Sequence, residues 1–364
     1  MLLSAATPFK KKMREGNHRD SNIELLRILA ILGVVILHYN NESIGGGLRY
    51  VHNGSINEIV LLFLEGLCIC AVDLFILISG FFSCNSNRRS SVKIINLLAQ
   101  YSFFQLLHYI VETIPKDSCS LYGVLRSILP VNYFVILYVI LYMISPYINI
   151  MLRSLSKLQV KKLIGLVLCL FSIYPTLVCL IEDIVGPLNG LSSIGISGSD
   201  GGYTIINFML VYIIGAGINL TNIKVKKQLV GMVIILNTVL LALWGKVNSS
   251  ISWMYCNPLV ILNSAMIFLL FKDFRISSLL INKLSKASFT CFCVHLIILE
   301  KFEIQKAVQA STFYMIGHMS IVCLATYAVS YLAYKIWNII SSPILLRLEN
   351  IFVKINLDFL INEE

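Results

Sequence analysis

Seven ionisable residues stand inside strongly apolar stretches of this sequence: Glu24, Arg27, His38, Glu65, Asp73, His108 and His295. Such groups are costly in hydrocarbon and usually face a bundle interior or a water-filled cavity, which makes each a candidate functional group. The first stretch reads IELLRILAILGVVILHYNN from Ile23, with Arg27 and His38 eleven residues apart. At ~100° per residue that is three helical turns and ~20° over, so on a helix both point the same way, ~16 Å apart along the axis. Glu24 lies one turn below Arg27 on that face. A row of carboxylate, guanidinium and imidazole would line a polar cavity. Histidine ionises near neutrality and can take a proton from a hydroxyl as it attacks. A guanidinium can hold phosphate oxygens in pairs. The plainer alternatives are a snorkelling interfacial arginine and a hydrogen-bonded packing histidine, and the shared face argues against both.

The second stretch, LLFLEGLCICAVDLFILISGFF from Leu61, returns through the same layer. Counting inward at ~1.5 Å per residue, Glu65 should lie at the depth of His38 and Asp73 near the middle. Either carboxylate could fix the tautomer of the imidazole, as a triad acid does. Depth favours Glu65, and Asp73 could instead bond a neighbouring helix. Arg88, Arg89 and Lys93 precede or open the third stretch and could hold a phosphorylated ligand, although surface charge alone accounts for them. The ten cysteines do not have structural-zinc spacing, and no metal is expected. Cys119 and Cys256 map to one side and could pair.

The elements that must position these groups follow from composition. Hydrophobic residues make up 57% of the chain and charged residues 13%, with a mean hydropathy of +0.80; soluble domains carry about a quarter charged residues. The apolar excess falls into runs long enough to span a ~30 Å core as helices. In lipid, every backbone group must be satisfied internally, so these runs must be helical. The expected spans are 23–42, 61–83, 92–114, 131–149, 163–181, 204–220, 228–246, 256–272, 287–305 and 316–340, with 118–129 lying at the interface. This is an all-α, polytopic integral membrane protein of about ten helices. Orientation follows from Lys and Arg alone. With the N-terminus inside, cytoplasmic segments hold 22 of the 29 basic residues, the other side holds six, and Arg27 alone lies within a span. Both termini are therefore expected in the cytoplasm.

The chain divides into a basic leader (1–22), a membrane domain (23–340) and a cytoplasmic tail (341–364). The first span reads as an uncleaved signal anchor in the plasma or inner membrane. The net charge of +10 is topological, and no nucleic-acid partner is expected. Neither an internal repeat nor a pair of broken helices is visible, in contrast to many transporters. The segment 182–203 is a Gly/Ser-rich loop that either lies free or caps the outer face.

The first span, E-L-L-R, ten residues, then His38, resembles the signature helix of the membrane acyltransferase 3 family, with Glu24 where an Asp is usual. Val72-Asp73-Leu74-Phe75 through Ser79-Gly80-Phe81 is similar to that family's V-D-x-F-F-x-x-S-G-F/Y run. Asn132-Tyr133-Phe134 with Tyr138, Tyr142 and Pro146, and the SFTCFCVHL segment ending near His295, resemble two later helices. The resemblance implies transfer of an acyl group, usually acetyl, from acyl-CoA in the cytoplasm to a hydroxyl of a cell-surface polysaccharide or lipid-linked glycan. It implies that His38 is the catalytic histidine and that Arg27 helps hold the donor. It also implies the bare membrane form, without an added esterase-like domain. Ser79, Tyr133 and His295 are candidate oxyanion donors. Direct transfer and a covalent intermediate are both open. The alternative reading is a transporter or flippase for a small acid or lipid-linked sugar, which would consume no acyl-CoA.

Overall fold

A computed structural model describes residues 20–116, 118–188, 190–191 and 200–355. The leader cations Lys10, Lys11, Lys12, Arg14 and Arg19, residues 189 and 192–199 of the Gly/Ser-rich loop and the end of the tail lie outside the described residues. Among the described residues the fold is entirely helical, without a strand. Its principal helices are α1 (Ser21–Asn40), α2 (Ile56–Cys68), α3 (Ala71–Ser83), α4 (Ser91–Thr113), α5 (Leu121–Ile128), α6 (Tyr133–Ser154), α7 (Lys157–Leu168) and α8 (Tyr174–Val185). They continue with α9 (Ile205–Thr221), α10 (Lys227–Val247), α11 (Pro258–Lys272), α12 (Leu279–Leu284), α13 (Ser288–Leu299), α14 (Ile304–Gln309) and α15 (Thr312–Ile355).

Among the described residues, seven helical stretches are long and apolar enough to cross a membrane: Ser21–Asn40, Ile56–Ser83, Ser91–Thr113, Leu121–Ser154, Lys157–Val185, Lys227–Val247 and Thr312–Leu348. The three remaining expected spans form the shorter α9, α11 and α13, of 17, 15 and 12 residues. The outer surface carries the mark of a lipid solvent. On α10, Leu229, Met232, Leu236, Leu240 and Leu243 are all exposed and recur at helical spacing. A water-facing helix would turn such a stripe inward, so this is a multi-pass membrane protein.

Two expected spans are not continuous α-helix, which corrects the view that none is broken. The run Ile56–Ser83 is interrupted at Ile69–Cys70, giving α2 and α3. Asp73 thereby falls in the first turn of α3, where the helix dipole favours an acid. The second irregularity is a π turn at Cys169–Ile173 between α7 and α8, just ahead of Pro175, whose ring and missing N–H disrupt the preceding ladder.

Helix α1 is central. It packs against α2, α3, α11, α12, α13 and α15. Its N-terminus is pinned by side chains. Asn22 Nδ2 donates to the carbonyls of Phe271 and Lys272 at 2.9 and 3.2 Å, satisfying orphan groups at the end of α11. Ser21 Oγ accepts from the Ser278 amide at 3.0 Å. At the far end the Gly45 amide donates to the His38 carbonyl at 3.0 Å. A Cβ at Gly45 would lie 2.4 Å from the Tyr39 carbonyl oxygen, so only glycine fits this turn. Both ends of the helix carrying Arg27 and His38 are thus fixed.

Helices α3 and α9 approach at backbone distance. A Cβ at Gly80 would lie 2.2 Å from the Tyr212 carbonyl oxygen, and one at Gly215 would lie 2.2 Å from that of Leu77. Small residues at such crossings are how helices associate in lipid, where burial from water is no longer available as a driving force.

Candidate active site

A cavity of about 310 Å³ opens among α1, α3, α4, α6 and the start of α13. Arg27, Lys93 and Lys286 line it, together with Ser79, Ser285 and Ser288. Val34, Val72, Phe75, Phe134 and Phe292 supply apolar wall. Along α1 the lining residues are Arg27, Ile31 and Val34, a spacing that puts His38 next on the same face. Along α13 they are Ser288, Phe289 and Phe292, and His295 follows one turn on. The two faces converge. The His38 and His295 rings lie 4.9 Å apart between centroids, inclined by 37°. Neither histidine lines the cavity. Phe292 does, and its ring lies 6.0 Å from that of His295.

The histidine pair has a defined chemistry. His295 Nδ1 is 2.8 Å from the Phe292 carbonyl and 3.1 Å from that of Cys291. Carbonyls only accept, so Nδ1 carries the proton and a neutral His295 keeps Nε2 as a lone-pair nitrogen. That Nε2 is buried without a hydrogen-bond partner, and so is His38 Nδ1. Buried polar atoms are normally bonded. Two such atoms sit on neighbouring imidazoles, which are tilted against each other.

The carboxylates expected to orient His38 do neither. Glu65 is buried, but its Oε2 accepts from Asn40 Nδ2 at 2.8 Å. Asn40 also donates to the Leu61 carbonyl at 3.1 Å. Glu65 therefore ties the end of α1 to α2 through Asn40, ~200° around the helix from His38. Asp73 is 1% exposed and has Asn207 as its polar neighbour. The partner of His38 is another imidazole. Of the candidate oxyanion donors, Ser79 lines the cavity, with its hydroxyl donated to the Phe75 carbonyl at 2.9 Å. Tyr133 instead packs edge-on against Tyr203, 4.4 Å between centroids.

The expected donor-binding cations divide. Arg27 lines the cavity and its Nη1 donates to Glu24 at 2.6 Å, so the acid holds the guanidinium in place. Lys93 also lines the cavity, with its ammonium 4.9 Å from the Tyr142 ring centre. Arg88 is exposed away from the lining. Arg89 is a clamp. It is 4% exposed, and it donates to Tyr142 O, Ser145 Oγ, Ser86 O and Arg88 O at 2.8–3.2 Å. Asn149 Nδ2 grips the same linker at the Ser83 and Ser86 carbonyls. Arg89→Ala removes four hydrogen bonds from a charged donor, each worth ~1.5–3 kcal/mol. It should lower the melting temperature in detergent clearly while leaving KM for the acyl donor unchanged in the protein that remains. A raised KM with normal melting would return Arg89 to the donor site.

Sequence reading missed several residues here. Lys286 had been counted only as a topological charge. Asn40 and His318 were not singled out, yet Asn40 holds Glu65 and the Tyr39 hydroxyl lies 3.0 Å from His318 Nδ1. His108, singled out only as an intramembrane ionisable group, has ligand-type atoms within 4.8 Å of Glu112 and Glu300. All ten cysteines are free, so Cys119 and Cys256 do not pair.

These features define a polytopic helical membrane protein whose cation-lined cavity leads toward a buried histidine pair. The acyltransferase 3 family, described as an acyltransferase domain, matches residues 20–335, nearly the whole chain, and the chain belongs to that family. It is accordingly a membrane acyltransferase. Comparison with curated proteins and with solved structures returned no match.

Proposed function

We propose that this protein is an O-acyltransferase of the plasma or inner membrane. In this reading it moves an acyl group, usually acetyl, from acyl-CoA on the cytoplasmic side to a hydroxyl of a cell-surface polysaccharide or lipid-linked glycan. The observation that carries the reading is one cavity lined by Arg27, Lys93 and Lys286, with both of its helical faces leading on to His38 and His295. The charge asymmetry of the loops supports ten crossings with both ends inside, which puts the three cations on the cytoplasmic side.

The three cations would hold the phosphates of CoA, and the apolar walls would take its thiol-bearing arm. At the inner end His38 removes the proton from the acceptor hydroxyl. The oxygen attacks the thioester carbonyl, the carbon–sulfur bond breaks, and the CoA thiolate leaves with the proton returned from the imidazolium. His295, through Nε2, accepts or relays that proton. Glu65 and Asp73 hold helices in place.

Membranes containing the protein should transfer label from acetyl-labelled CoA to a hydroxyl-bearing glycan fraction. Movement of an acid or sugar with no CoA released would support the transporter reading instead, which the interruptions at Ile69–Cys70 and Cys169–Ile173 favour. Charge at the mouth gives a sharper check. Lys93→Gln combined with Lys286→Gln should raise KM for acetyl-CoA by about tenfold or more, each charge-assisted contact to phosphate being worth ~1.5–3 kcal/mol. The effect should shrink as salt is raised, with kcat little changed. An unaltered KM would place the donor elsewhere.

A further inference from the structure

The cavity ends in an aromatic wall. Phe292 is its last lining residue on α13 before His295. The ring of Phe292 lies 5.1 Å from that of Phe134 and is stacked on Phe289 at 6.1 Å, inclined by 18°. Phe134 is itself 8% exposed and backed by Phe75 and Phe208, at 6.5 and 5.9 Å. Phe292 therefore stands at the cavity's approach to the His295 ring, 6.0 Å away, and the rings packed against it leave it little room to move. Protein interiors are packed like crystals, so such a wall yields poorly to added volume.

A thioester presented to His38 must place its acyl group against this wall. Two carbons ask little of the space. Each further methylene has to push the Phe292 ring into Phe134. We propose that Phe292 sets the length of the acyl group this protein accepts, restricting the donor to short-chain acyl-CoA; the proposal rests on the acyl-transfer reading above. One methylene too many in a closed apolar pocket changes kcat/KM by about 10- to 200-fold.

The experiment measures kcat/KM for acetyl-, butyryl- and hexanoyl-CoA in membranes carrying the wild type, Phe292→Leu or Phe292→Ala. Ratios between donors within one preparation cancel the amount of folded protein. The wild type should fall by about tenfold or more from acetyl to butyryl and again to hexanoyl. Phe292→Ala should raise the butyryl-to-acetyl ratio about tenfold or more, and Phe292→Leu should fall between. A wild type that takes hexanoyl-CoA as readily as acetyl-CoA overturns the proposal. So do unchanged ratios in both variants, or loss of all transfer in both, which would make Phe292 a packing residue only. A wild type that consumes none of the three donors overturns the acyl-transfer reading itself.

Discussion

Replacing His38 with alanine should lower acyl transfer by about a thousandfold while leaving the protein in the membrane at near-normal amount, the loss typical of a removed general base. The structural cost is small. His38 is bonded through no side-chain atom to any described residue and its Nδ1 is an unpartnered buried nitrogen, so nothing is stranded by its removal. What is lost is the imidazole that lies 4.9 Å from the His295 ring. His295→Ala should fall less far, since on the proposed mechanism it removes the relay, whose Nε2 is buried without a partner, and leaves the base in place. The readouts are label transferred from acetyl-CoA per unit of immunodetected protein, and KM alongside. A His38→Ala protein that still transfers at more than about a tenth of the wild-type rate would remove His38 from the chemistry, because a general base contributes at least ~100-fold.

The largest effect on stability is expected at the crossing of α3 and α9. Alanine at Gly215 would set a methyl 2.2 Å from the Leu77 carbonyl oxygen, and alanine at Gly80 would do the same against Tyr212. Both obstacles are backbone, so no side chain can rotate out of the way and the helices must part. Overpacking of this kind costs ~1–3 kcal/mol per site, occasionally more. In lipid there is little hydrophobic drive to restore the contact. Each variant should melt well below the wild type in detergent, and the pair together should yield little folded protein. Gly231→Ala and Gly165→Ala supply the comparison, because a Cβ at either meets nothing within 4 Å. Those two should be neutral or slightly stabilising, since alanine is the better helix former by ~1 kcal/mol. Equal melting of all four variants would contradict the close crossing.

The row of Glu24, Arg27 and His38 was legible because a helix is a local object: eleven residues and a fixed angle place one side chain over another. The same holds for the apolar runs, whose length alone marks the span that becomes α10. What was not legible depends on contacts between distant segments. His295 lies far along the chain from His38, and nothing in SFTCFCVHL says which imidazole it will meet. Glu65 was placed by depth alone, which is silent on rotation, and Asn40 takes the carboxylate instead. Lys286 and Arg89 look alike as cytoplasmic cations. One lines the cavity and the other is a clamp only because of where α6 supplies carbonyls. The interruption at Ile69–Cys70 carries neither Gly nor Pro, so no local signal marks it.

The wall built from Phe75, Phe134 and Phe292 has a second consequence. A cationic hollow reaching deep into a bilayer invites conduction, and an energised membrane drives each elementary charge with ~2.3 kcal/mol per 100 mV. Dry apolar constrictions stop ions by refusing their hydration shells. The apolar rings that line this hollow beside the imidazoles would make it a barrier to ions as well. A hollow open on one face of a charged membrane would then carry no leak current.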